Sequence, residues 1–129
     1  MYSEVIKQEL SKDSSVVLAI LYGSAANERI HLNSDIDLAV ATNAPLTKEK
    51  KIEIITRLTL TLDREIDLVD LNEISGLILQ EVLCKGKLLI NNSSEKFAEL
   101  IKQMLYDQAD WMPYVNRILD ERTRKFCYG

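Results

Sequence analysis

Two aspartates one residue apart, Asp35 and Asp37, stand at the head of a short apolar run, Leu38-Ala39-Val40-Ala41. In an extended chain, side chains at i and i+2 leave the same face. The spacing therefore sets two carboxylates side by side, while Ile36 and Leu38 point the other way, into a core. Like charges held together repel, and the natural relief is a divalent cation. Mg²⁺ takes oxygen ligands and is held by one or two carboxylates plus substrate phosphates. A third acid repeats the pattern, because Asp67 lies between Ile66 and Leu68 just as Asp37 lies between Ile36 and Leu38. In the stretch Glu65 to Leu71, Asp67 shares a face with Glu65, Val69 and Leu71, whereas Ile66, Leu68 and Asp70 share the opposite one. If the two strands are neighbours, Asp35, Asp37 and Asp67 form a cluster able to hold metal ions across an in-line phosphoryl displacement. Asp67 is also placed to take a proton from an acceptor hydroxyl. Asp70 is the competing third acid, but its parity puts it across the sheet, so Asp67 is preferred.

Gly23 and Ser24 supply the other half. A glycine after a buried strand lets the chain turn sharply and lets a phosphate approach with no Cβ in the way. Ser24 then falls at a helix N-terminus, where free N–H groups favour an anion, and its hydroxyl can donate to a triphosphate oxygen. Taken singly, each feature has a bland reading. A Gly-Ser is usually a turn, an Asp-x-Asp surface charge, and a lone strand aspartate an edge residue. Their combination at fixed spacing is what points to chemistry.

The elements that must carry these residues are readable from apolar periodicity. Residues 3–13, with Val5, Ile6 and Leu10, predict a short amphipathic helix. Val16 to Tyr22 is a buried strand, followed by a tight turn opening a short helix, and 35–41 is a second strand. Residues 47–63 predict a helix capped by Thr47, with Ile52, Ile55, Leu58 and Leu62 at helical spacing. A third strand spans 65–71, a helix about 74–83 with Gly86 as its stop, and an edge strand 87–90. From Ser94 the pattern is helical, with Phe97, Leu100, Ile101, Met104 and Leu105 on one face, continued by Trp111, Val115, Ile118 and Leu119. Pro113 must kink this helix or begin another. The order predicts an α/β (α+β) domain, 1–129, with a small mixed sheet and a helical C-terminal segment of about 94–126.

Composition narrows the function. With 129 residues, 47% hydrophobic and 28% charged, the chain reads as a single globular domain able to bury a core. Its two cysteines, Cys84 and Cys127, form no CxxC pair, which argues against zinc or redox chemistry and for a reduced, cytoplasmic chain. The polar N-terminus shows no signal peptide, and the run Val16 to Tyr22 is too short for a bilayer. A formal net charge of -4 argues against broad electrostatic binding to nucleic acid.

Gly23-Ser24, ten residues and Asp35-x-Asp37 resemble the signature of the DNA polymerase β-like nucleotidyltransferases. Ser34 to Val40 is similar to the minimal nucleotidyltransferase (MNT) branch, and Asp67-Leu68-Val69 to its third-acid strand. The resemblance covers roughly residues 15–125. It implies that Asp35 and Asp37 bind Mg²⁺ carrying the nucleotide, with Asp67 as third ligand or base. Where many relatives carry Arg-Gly, this chain has Asn27 and Glu28; Arg29 is an alternative phosphate-side cation or a solvated loop residue, and His31 reads as a loop residue. Small stand-alone MNT chains resemble the antitoxin half of HEPN–MNT toxin–antitoxin pairs. That likeness implies a type VII-like antitoxin moving AMP from ATP to a tyrosine of a HEPN ribonuclease toxin. The C-terminal segment with Trp111, Tyr114 and Phe126 would then be a docking candidate. The rival readings are an aminoglycoside-type nucleotidyltransferase and a module that binds a toxin without chemistry.

Overall fold

A computed structural model describes residues 2–23 and 35–110. The elements run α1 (Tyr2–Ser11), β1 (Val16–Tyr22), β2 (Ile36–Thr42), α2 (Lys48–Leu62), β3 (Ile66–Asp70), α3 (Gly76–Lys85), β4 (Lys87–Asn91) and α4 (Ser94–Asp110). The strands form one sheet in the order β3-β2-β1-β4. β1 is antiparallel to both β2 and β4, and β2 is parallel to β3. The sheet is thus mixed, as expected, with α2 carrying the crossover that a parallel pair requires.

Both faces of the sheet are covered, which is why β1 and β2 are apolar almost without alternation. On one face, Ile6 and Leu10 of α1 and Ile54 and Leu58 of α2 pack on Leu21, Ile36, Leu38, Ile66 and Leu68. On the other, Leu79 and Val82 of α3 and Leu100 and Met104 of α4 pack on Leu18, Ile20, Ala39 and Ala41. The edge strand β4 exposes Lys87 and Leu88 and buries Leu89 and Ile90, and a lysine at a strand edge discourages further pairing.

Local chemistry sets the ends of α2. Thr47 Oγ1 accepts the Lys50 N–H at 3.1 Å, and Asp63 closes the helix at φ 55, its N–H donating to the Thr59 carbonyl at 2.9 Å. Asp13 ties the approach to β1 onto this helix. Its carboxylate accepts from the Ser15 N–H at 3.0 Å and hydroxyl at 2.7 Å, and pairs with Lys50 Nζ at 2.7 Å.

Three details depart from the periodicity. Ile52 is 55% exposed; the buried stripe is Ile54 and Leu58, flanked by Ile55 and Leu62. Leu105 is likewise 55% exposed, while Leu100 and Met104 carry the contact of α4. α3 begins at Gly76, two residues after Ile74, because its first N–H is met from a distance by Asp107 Oδ2 at 3.0 Å. Cys84 is half-buried, with its thiol 3.7 Å from Met104 Sδ. The readings of Ser24, Asn27, Glu28, Arg29, His31, Cys127 and the stripe from Trp111 to Phe126 fall outside the described residues.

Candidate active site

The parallel pairing of β2 with β3 sets Asp37 directly opposite Asp67, and the antiparallel pairing of β1 with β2 sets Tyr22 opposite Asp37. Directly paired residues project from the same face. Tyr22, Asp37 and Asp67 therefore form one row across three strands, where β1 ends and β2 and β3 begin. The row lies on the face covered by α3 and α4, since Ala39 and Val69, two residues on, pack there. Ile36, Leu38, Ile66 and Leu68 fill the opposite face, as their parity requires. Asp70, 8% exposed, also follows parity. Its Oδ1 accepts the Asn72 N–H at 2.9 Å, so that acid is used in the turn after β3.

Gly23 sits at the end of this row with φ +70, and a Cβ built on it would fall on Asp37 Oδ2. The glycine thus serves two ends. It permits the left-handed turn, and it leaves the volume that the Asp37 carboxylate occupies.

Asp37 has its pKa raised, first by burial, then by the charges of Asp67 and Asp35, and by a hydrogen bond with Asp67 that favours the protonated form. Hard oxygen donors under mutual repulsion fit Mg²⁺. Tyr22 is pushed up to about 12 by burial and then by the charges of Asp37 and Asp67. Its phenol is a hydrogen-bond donor throughout the neutral range. Asp35 is exposed and acts on Asp37 through its charge. Among the described residues no three His, Cys, Asp or Glu side chains converge as a ready cation cage. Of the three acids expected from the sequence, Asp37 and Asp67 stand opposite each other across β2 and β3, and Asp35 precedes β2. Tyr22 was not among the sequence-derived site residues; the signal was its i+2 parity with Ile20, which needs the direction of β2 to become informative.

A strand-end glycine against a carboxylate, with a second acid opposite it on the parallel neighbour, is the arrangement the sequence led one to expect of a nucleotidyltransferase. The Polymerase beta, Nucleotidyltransferase family matches residues 4–95, and the chain belongs to that family. It is 34% identical over 130 residues to Protein adenylyltransferase MntA of Shewanella oneidensis, covering 98% of this chain and 94% of the relative. A solved toxin–antitoxin structure with AMP-PNP superposes with a TM-score of 0.70 at 28% identity, over 90% of this chain and 98% of that one. A tri-AMPylated Shewanella oneidensis HEPN toxin in complex with its MNT antitoxin matches in fold with a TM-score of 0.63 at 23% identity, over 91% and 98% of the two chains. No described helix is long and apolar enough to cross a membrane.

Proposed function

We propose that this chain is the antitoxin of a HEPN–MNT pair, transferring AMP from ATP to a tyrosine of its partner HEPN ribonuclease toxin and thereby silencing it. The observation that carries the reading is the Asp37–Asp67 rung backed by Gly23. The 34% identity to a protein adenylyltransferase over nearly the whole chain supports a protein acceptor. The acceptor oxygen attacks the α-phosphorus of ATP, the bond from that phosphorus to the bridging oxygen breaks, and pyrophosphate leaves. The acceptor proton passes to Asp67, the more exposed acid of the pair and the one open to an incoming side chain. Asp35 and Asp37 would hold Mg²⁺ together with Asp67; when bound, the ion neutralises phosphate charge and polarises the α-phosphoryl group. Gly23 and Ser24 would face the triphosphate. Such a reaction belongs in the cytoplasm, where ATP and RNA meet the toxin.

The test is transfer of label from α-labelled ATP, with Mg²⁺, to the neighbouring HEPN protein, beside an Asp35→Asn, Asp37→Asn double variant. Label on the partner that disappears in the variant supports the reading. Tight stoichiometric binding without label, for any nucleotide, would sink it in favour of neutralisation by contact.

A further inference from the structure

We propose that the free edge of β3 is the docking strip for the acceptor: the tyrosine-bearing segment of the HEPN toxin adds there as a further strand and so brings its hydroxyl to Asp67. The inference rests on the AMP-transfer reading above and names how the protein acceptor is held. β3 ends the sheet on the side of Asp67, because the strand order is β3-β2-β1-β4. Two hydrogen bonds fix which of its main-chain groups are already used. The Ile36 N–H donates to the Glu65 carbonyl at 2.9 Å, and the Leu71 N–H donates to the Val40 carbonyl at 2.8 Å. In a parallel ladder, residues that bond the neighbouring strand alternate with residues that do not. Glu65, Asp67, Val69 and Leu71 therefore turn their main-chain groups toward β2. Ile66 and Leu68 turn theirs outward, and among the described residues no turn or loop bond reaches them. The strip ends at Asp70, whose carbonyl accepts the Glu73 N–H at 2.9 Å as the chain turns away.

The two edges of the sheet differ. β4 starts with Lys87 and meets β1 with a register shift between Ala19 and Ile20, and both features discourage another strand. β3 carries neither lysine nor proline and pairs with β2 in unbroken register. Its one exposed side chain is Asp67. An added strand lies about 4.8 Å from β3, and directly paired residues project from the same face. A tyrosine paired with Asp67 thus stands on the catalytic face beside that carboxylate. Its longer side chain carries the hydroxyl past the carboxylate, to the height of a cation-borne phosphate. Main-chain pairing supplies the grip and the alternate side chains the selection, as in other strand additions.

The test follows amide hydrogen exchange of the full chain by NMR, with and without saturating HEPN toxin and without ATP. The expected result is that the Ile66 and Leu68 amides slow by more than about tenfold in the complex, while the amides of β4 keep their rates. Unchanged rates at Ile66 and Leu68 in the saturated complex would overturn the proposal. So would protection of the same two amides in the free chain that grows with its concentration, which assigns the edge to a second copy. A peptide of about ten residues centred on the acceptor tyrosine, methylated at one backbone nitrogen at a time, is then offered with α-labelled ATP and Mg²⁺. Labelling should fall by about tenfold at alternate positions and stay within about twofold at those between. A flat profile, or label on the intact toxin but none on the unmethylated peptide, also contradicts strand addition. If the intact toxin takes no label, the AMP-transfer reading fails on that result alone, and the exchange rates still decide whether the toxin occupies the edge.

Discussion

The Asp37 carboxylate occupies the place where a side chain on Gly23 would begin. Strand β2 and the turn after β1 therefore cannot vary independently, because the acid and the glycine share one volume. Gly23→Ala is expected to destabilise the fold by about 1–2 kcal/mol through its φ of +70 and to displace Asp37. Transfer activity should fall by about 100-fold, as misplacement of a reacting group by an ångström does. Steady-state kinetics beside a thermal melt separates the two effects: a modest loss of stability accompanies a large loss of kcat.

The Asp37–Asp67 rung is a place where the fold is strained. A carboxyl whose folded pKa is raised binds its proton more tightly in the native state, so it stabilises at low pH and opposes folding once ionised. Asp37→Asn should therefore melt higher than wild type at neutral pH, by about 2–6 °C in the absence of divalent cations. Adding Mg²⁺ should raise the wild-type melting temperature and leave the variant unmoved. A variant that melts lower than wild type under metal-free conditions contradicts this account of the pair.

Asp13 has the opposite sign. Burial works against its charge, yet hydrogen bonds from Lys50 and Ser15 hold its pKa down at about 2, from an ordinary 3.8. Its contribution is present above about pH 4 and is lost as the pH falls toward 2. Melting curves of Asp13→Asn and wild type should be well separated at pH 7 and converge by pH 2. Curves that stay parallel across that range would remove the Asp13–Lys50 tie from the stability of the α1–α2 layer.

Gly86 closes α3 for a reason of space. Its φ is an ordinary -74, but a Cβ there would run into the Val82 carbonyl and Ile20 Cγ2, with the Leu21 carbonyl at 3.2 Å. Gly86→Ala should destabilise by about 1–3 kcal/mol, the range for overpacking, in denaturant titration. It should spare transfer activity at temperatures where the chain stays folded.

Much of this site is legible in the residues. The limits of β1 follow from Val16 and Gly23, the cap of α2 from Thr47, and the faces of Asp67 and Asp70 from parity alone. Strand direction is not legible, because residue order says nothing about which way a neighbour runs. That is why Tyr22 gains meaning only once β1 and β2 are seen antiparallel. The choice of Ile54 over Ile52 depends on how α2 is rotated against the sheet, since several apolar stripes of α2 satisfy helical spacing. The start of α3 depends on Asp107, 31 residues away, a long-range cap that no local pattern contains. The geometry of three acids likewise depends on side-chain placement, which brings Asp37 and Asp67 together and leaves Asp35 beside them.

Catalysis differs from simple binding in its stoichiometry, and that difference tests the central claim most directly. Partner HEPN toxin is mixed with this chain at about one part in fifty, with ATP and Mg²⁺, and ribonuclease activity and intact mass are followed over time. The account predicts that nearly all the toxin is silenced and gains the mass of AMP on tyrosine, and that Asp37→Asn leaves it active. Protection that stops at one toxin equivalent per antitoxin, with no change in toxin mass, would contradict it.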